Sequence, residues 1–184
     1  MKGFSEYLTT LARVNRLDPP GPVEWLFHTG MLFSSRDKWW GDFGSRSSAH
    51  EGIDITYFRT RPLEICRFDD TIIIPAMEDG RIINICDDFL GKTIVVDPED
   101  HEFSGLRVIL TYAHILPENR LTIGHRIKKN EVIARVCDTR KNPQLQPHLH
   151  LSCFEVERDI APDNLNWKLF SDNTMVNAIH PVFL

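Results

Sequence analysis

The sequence predicts a mainly β protein, an antiparallel sheet assembly with one short helix at its N-terminus. Two observations carry this expectation. From His50 to Val156 the chain is a succession of short, β-branched runs separated by Gly, Pro, Asp or Asn clusters. No helix-length periodic segment falls between these runs, which disfavours parallel βαβ units. At 184 residues the chain is long enough for one core, and it reads as one domain with a helical N-terminal extension.

The elements follow in chain order. Phe4, Tyr7, Leu8, Leu11 and Val14 recur at helical spacing and predict an amphipathic helix. The stiff segment Asp18-Pro19-Pro20-Gly21-Pro22 is expected to end it. Val23–Phe27 is a strand candidate leading into the body. Asp37–Gly44 is a loop carrying Trp39, Trp40 and Phe43; it reads as a surface loop tucking two indoles onto the core, ahead of a platform for substrate. The further strand candidates are Ile53–Phe58, Thr71–Ile74, Arg81–Cys86, Thr93–Asp97, Arg107–Ala113, Glu131–Val136 and His148–Val156. The tail from Asp163 to Leu184 is mixed, with Trp167 and Phe170 expected to cover one end of the core.

Composition removes several function classes. A net charge of -5, with neither an Arg/Lys-rich run nor a basic face, argues against nucleic acid as a partner. The Lys128-Lys129 pair reads as a solvated turn. No apolar run approaches the length of a membrane span. Glu6, Arg13 and Arg16 interrupt the region where the apolar part of a secretory leader runs, so the N-terminus reads at face value as cytoplasmic. Cys66, Cys86, Cys137 and Cys153 are scattered without a C-x-x-C pair, and Cys86 and Cys153 fall in apolar runs expected to bury free thiols. Oligomeric state is left open.

The chemistry concentrates in two short stretches. In Pro147-His148-Leu149-His150, side chains two apart on a strand share a face, so His148 and His150 aim into one space. In His50-Glu51-Gly52-Ile53-Asp54 the same periodicity aligns His50, Gly52 and Asp54, with Glu51 expected to point away and Gly52 leaving room for something both polar groups hold. Two imidazoles and a carboxylate suit a zinc ion with one position open. A helical His-Glu-x-x-His site fails here, because Gly52, Ile53 and Ile55 disfavour a helix and the second His is absent. A jelly-roll reading of His148-x-His150 with Glu155 lacks its flanking glycines, Asn142 and Pro162 standing in their places. It also leaves His50, Asp54 and His114 unused. His28, His101, His125 and His180 read as structural or solvated.

Taken together, His50-x-Gly52-x-Asp54, Tyr112-Ala113-His114 and Pro147-His148-Leu149-His150 closely resemble the motifs of the lysostaphin/LytM-type zinc endopeptidases. The likeness extends to Pro75–Ile82, Gly91–Asp97 and the late hairpin Gly124–Ala134, and runs from about Gly44 to about Val156. It implies a barrel-sandwich-hybrid domain over residues 44–184, with residues 1–43 packed on it as helix and aromatic loop. It implies one Zn2+ ion held by His50, Asp54 and His150, with His114 and His148 as the catalytic pair. A neutral imidazole of that pair would take a proton from water, and an imidazolium would stabilise the oxyanion. Which does which is left open. The implied substrate is a peptide, in the stems or cross-links of bacterial peptidoglycan outside the membrane. A non-catalytic activator module of this type and a cytoplasmic zinc peptidase are the rival readings.

The chain departs from the family pattern in three places. Cys137–Pro147 contains no glycine, and Gln146 stands where Gly is usual, so the groove walls differ from those that accept polyglycine. Asn130 replaces a hairpin Gly. Phe154-Glu155 arrives two residues late, which predicts a bulge after His150.

Overall fold

Helix α1 covers Lys2–Val14, and the face predicted from its spacing is the one that docks: Phe4, Tyr7 and Leu11 are buried, with Leu8 against them. The structure is a computed structural model that describes residues 2–17, 23–61, 64–98, 102–103, 105–172 and 174–183. The helix ends earlier than expected, on its own cap. Leu17 N–H donates to Ala12 O at 3.0 Å and Arg16 N–H to Arg13 O at 3.1 Å, while Arg16 turns left-handed at φ 54°. These two bonds make a Schellman ending. The proline-rich stop at Asp18–Pro22 lies outside the described residues. Next to the cap, Asn15 clamps the helix to the sheet: its amide donates to Ile73 O and accepts from Ile73 N–H, both at 2.8 Å.

Three strands make a small sheet. In it, β1 (Glu24–Leu26) pairs with the third strand of the chain, which pairs with the fourth. The predicted strand Ile53–Phe58 is in fact two, β2 (Gly52–Ile55) and β3 (Tyr57–Arg61), with β4 (Glu64–Arg67) after them. The break is Thr56, whose hydroxyl donates to Pro147 O at 2.8 Å, so the chain leaves one sheet for the other. The large sheet holds β5 (Ile73–Pro75), β6 (Gly80–Asp87), β7 (Lys92–Pro98), β8 (Glu102–Phe103), β9 (Leu106–Pro117), β10 (Arg126–Ile127), β11 (Val132–Val136), β12 (Leu149–Glu157) and β13 (Asn177–Ile179), with β2 on its β12 edge. Every pairing among the described residues is antiparallel.

Strands at the centre are apolar on both sides because the sheet has a core on each face. Ile82, Ile94, Val96, Leu110 and Cys153 face the core that α1 covers; their neighbours Ile83, Val95, Ile109 and Phe154 face a second one. The second core is closed by Leu165 and α2 (Trp167–Phe170), with Phe170 stacked on Phe154 at 4.7 Å. Thus Trp167 and Phe170 cover a face of the sheet rather than an end. The expected bulge after His150 is absent: β12 and β9 stay in register from His150↔Ala113 to Glu157↔Leu106. All four cysteines are free, and Cys86 is half-buried where full burial was expected, because the outer part of β6 is open. Asn130 takes the left-handed conformation at φ 69° that explains the usual glycine there. The glycine-free Cys137–Pro147 segment turns without any positive φ. No helix among the described residues is long and apolar enough to cross a membrane.

Candidate active site

The ladder between β2 and β12 sets the first half of the site. Asp54 lies directly opposite His150, and His150 opposite Ala113 of β9. His150 Nδ1 comes to 2.7 Å from Asp54 Oδ1, and His50 Nε2 to 3.1 Å from His150 Nδ1 and 3.2 Å from Asp54 Oδ1. All three residues are buried. His50 precedes the strand, and its Nδ1 lies 3.1 Å from Leu32 O, which can only accept. Nδ1 therefore carries the proton and Nε2 presents its lone pair. The far edge of His150, Nε2, meets Ser152 Oγ. This proximity explains Gly52: a Cβ there would lie 2.4 Å from Ser152 Oγ and 2.8 Å from His150 Nε2. The glycine makes room for the back of the His150 ring.

These three residues fit a zinc ion. Their ligand atoms lie within 4.8 Å of one another, two nitrogens and one carboxylate oxygen, the donor set of a mononuclear zinc site with a position free. Each imidazole has its other nitrogen engaged, as metal-ligating histidines do. The second oxygen of Asp54 is held as well, accepting from Trp39 Nε1 at 2.6 Å and lying 3.4 Å from Arg46 Nη2. Burial alone would raise the Asp54 pKa; the His50 and His150 rings outweigh it and hold the carboxyl well below the usual range. Burial lowers the pKa of His150, against the opposing pull of Asp54.

His114 and His148 form the second half. Their ring centres are 4.8 Å apart, and that of His114 is 5.7 Å from His150. His114 sits where β9 changes partners, at a register shift against β7, and its backbone is left-handed at φ 62°. A bulge at this point re-aims the side chain. Asp88 holds it there, its carboxylate accepting from His114 N–H at 2.9 Å and lying 3.1 Å from His114 Nδ1. The same carboxylate accepts from Leu90 N–H, Gly91 N–H and Thr93 Oγ1. Burial pushes the Asp88 pKa up, but the His114 contacts and these amides prevail and leave it well below the usual range. His148 is fixed differently: its Nδ1 lies 2.7 Å from the Gln146 carbonyl, and Trp39 packs edge-on at 5.0 Å. Burial pushes its pKa down to about 3.

Of the residues predicted from sequence, Asp54, His114, His148 and His150 line one cavity of about 290 Å³, and His50 lies off it, its Nε2 3.1 Å from His150 Nδ1. Trp40, Phe89 and Trp167 supply aromatic walls, and Leu145 brings in the glycine-free segment. Glu51 corrects the strand argument: it precedes β2, escapes the alternation and lines the cavity. The two indoles of the aromatic loop divide the expected roles, Trp39 buried and bonded to Asp54, Trp40 in the wall under Arg46. Asp88, Arg46 and Ser152 were not singled out from sequence. Asp88 had one available signal, an Asp three residues before Gly in a hairpin turn, but that pattern marks turns generally.

A β-sheet cavity that gathers two imidazoles and a carboxylate around one point, beside a second pair of imidazoles, defines a candidate mononuclear metal centre. The family model described as peptidase family M23 matches residues 48–162, which include every residue of this centre. The chain belongs to peptidase family M23. Among solved structures it is similar to lysostaphin in solution, at 16% identity and a TM-score of 0.48 over 82% of this chain and 53% of that one. It is also similar to a variant catalytic domain of the prophage-encoded M23 protein EnpA from Enterococcus faecalis (16%, TM-score 0.43, 80% and 94% covered). A zinc-containing peptidase from Vibrio cholerae matches at 17% identity and a TM-score of 0.43, over 70% of this chain and 33% of that one. The chain thus spans about half the length of lysostaphin. No curated protein sequence matches it.

Proposed function

We propose that this chain is a zinc-dependent endopeptidase acting on the stem or cross-link peptides of bacterial peptidoglycan. The observation that carries the reading is the meeting of His50, Asp54 and His150 with His114 and His148 at one cavity. Zinc held by His50 Nε2, Asp54 Oδ1 and His150 Nδ1 supplies a water of lowered pKa and a Lewis acid for the scissile carbonyl. The two remaining imidazoles then divide the proton work according to their partners. His148 gives its Nδ1–H to the neutral Gln146 carbonyl, which leaves the Nε2 lone pair free to take a proton from water. The Asp88 carboxylate holds His114 at Nδ1, and the imidazolium form of this ring would donate from Nε2–H to the developing oxyanion. Trp39 and Arg46 keep Asp54 oriented, and the aromatic walls limit access of bulk water. The complete ligand set supports an enzyme over a non-catalytic activator module. The test is mass spectrometry of fragments released from purified sacculi by zinc-loaded protein. New peptide termini that vanish with chelator are expected; zinc-loaded protein that releases nothing from sacculi of several cross-link chemistries would contradict the reading.

A further inference from the structure

Trp167 is a wall of the cavity, yet it stands outside residues 48–162, the span matched by the family model. The segment that carries it is docked firmly on the sheet. Leu165 O accepts from the buried Asn84 Nδ2 at 3.0 Å, and Phe170 stacks on Phe154. From this position the Trp167 indole donates its Nε1–H to Thr93 Oγ1 at 2.7 Å. Thr93 is fully buried on β7, two residues before Val95, and so shares with it the sheet face that α2 covers. The Thr93 hydroxyl in turn donates to Asp88 Oδ2 at 2.9 Å. Asp88 is the carboxylate that holds His114.

Chemistry fixes the direction of this chain of bonds. An indole N–H only donates and an ionised carboxylate only accepts. The hydroxyl between them therefore takes the indole hydrogen and sends its own to Asp88. The other donors to Asp88 beside the His114 ring are the backbone N–H groups of Leu90, Gly91 and His114, set by the turn and the strand. The Thr93 hydroxyl differs from them because it can rotate, and Trp167 removes that freedom. Oδ1 accepts from the Leu90 and Gly91 amides and faces the His114 ring, whereas Oδ2 depends on His114 N–H and Thr93. Without the hydroxyl, Oδ2 keeps one donor and the carboxylate can turn away from the ring. We propose that Thr93 and Trp167 are positioning residues for His114, acting through Asp88, so that the segment after residue 162 completes the irregular half of the cavity. The effect on turnover rests on the peptidase reading above; the effect on the His114 ring does not.

Zinc-loaded wild type, Thr93→Val, Thr93→Ser, Trp167→Phe and the Thr93→Val/Trp167→Phe double variant would be compared, with thermal melts and metal analysis confirming fold and zinc content. The readouts are kcat and KM on a purified cross-linked muropeptide, and the NMR resonance of the His114 Nδ1 proton. Thr93→Val keeps the side-chain shape and removes the hydroxyl. It should move the resonance and lower kcat by about 10-fold, the lower end for a hydrogen bond to a charged group, with KM unchanged. Thr93→Ser, which keeps the hydroxyl, should recover most of both. Trp167→Phe keeps a ring in the wall and loses the N–H; it should move the resonance the same way and lower kcat less, and it tests the chain of bonds even if Thr93→Val does not fold. Because Trp167 acts through Thr93, the double variant should lose no more kcat than Thr93→Val alone. An unmoved resonance in the single variants, or losses that multiply in the double variant, overturns the positioning role. A moved resonance with no turnover even in the wild type contradicts the peptidase reading and leaves the positioning role standing. Wild-type turnover with an unmoved resonance does the reverse, and neither turnover nor movement contradicts both.

Discussion

The two halves of the cavity are held by different means. Asp54 and His150 stand opposite each other on a regular ladder, so their approach is fixed by strand register. His114 and His148 stand where regularity stops, one at a left-handed bulge and one just before its strand begins. The first pair needs only correct spacing. The second pair needs partners, and the chain supplies a different one for each: the Asp88 carboxylate for His114, the Gln146 carbonyl for His148. The ladder can bring ligand atoms together around an ion, whereas the irregular half can give two chemically equal rings unequal tasks.

The largest expected effect removes a group from the ladder half. His150→Ala should abolish stoichiometric zinc binding and all turnover, read by metal analysis after gel filtration; a variant still holding one zinc per chain would break the distinction between the halves. In the irregular half, His148→Ala should keep its zinc and lose about 10²–10⁴-fold in kcat, the usual worth of a general acid or base. Near-normal turnover from the metal-loaded variant would remove His148 from the chemistry.

Smaller effects test the supporting groups. Asp88→Asn should lower kcat by about 10–100-fold, as loss of an orienting partner does elsewhere, while zinc content stays unchanged. The same variant has a pH signature. Because the folded pKa of Asp88 is depressed, its ionised form stabilises the fold above the unfolded pKa of about 4, and this contribution is lost as pH falls further. The difference in melting temperature between wild type and Asp88→Asn should therefore be full at neutral pH and shrink below about pH 4; a difference constant across that window would mean the carboxylate charge is not what holds His114. Trp39→Phe is the mildest change. It keeps the ring and removes the donor to Asp54 Oδ2, so zinc affinity should fall by about 10-fold, measured by competition with a chelator. Unchanged affinity would show that Arg46 alone suffices to orient Asp54.

The same contrast explains what was legible in the sequence. Asp54 and His150 face each other on regular strands, where spacing carries information, whereas the inclusion of His50, which precedes β2, came from the resemblance of the joint motif. The β-branched runs from Ile53 to Val156 gave strands close to those observed, since both sheet faces are buried and the pattern is strong. Glu51 was misjudged because a two-residue alternation was extended beyond the start of β2. Asp88 was invisible for a different reason. It lies 26 residues before His114 in sequence, and only the pairing of β7 with β9 brings the two together. Asn15 and Trp39 act in the same way, each a single polar group in a turn or loop whose partner is set by tertiary packing.

The most direct measurement is a crystal structure of zinc-equilibrated protein with anomalous data collected on both sides of the zinc edge. One anomalous peak is predicted, bonded to His50 Nε2, Asp54 Oδ1 and His150 Nδ1, with His114 and His148 beside it and unbonded. A peak ligated by His114 or His148 in place of these, or no peak at full zinc loading, would contradict the account.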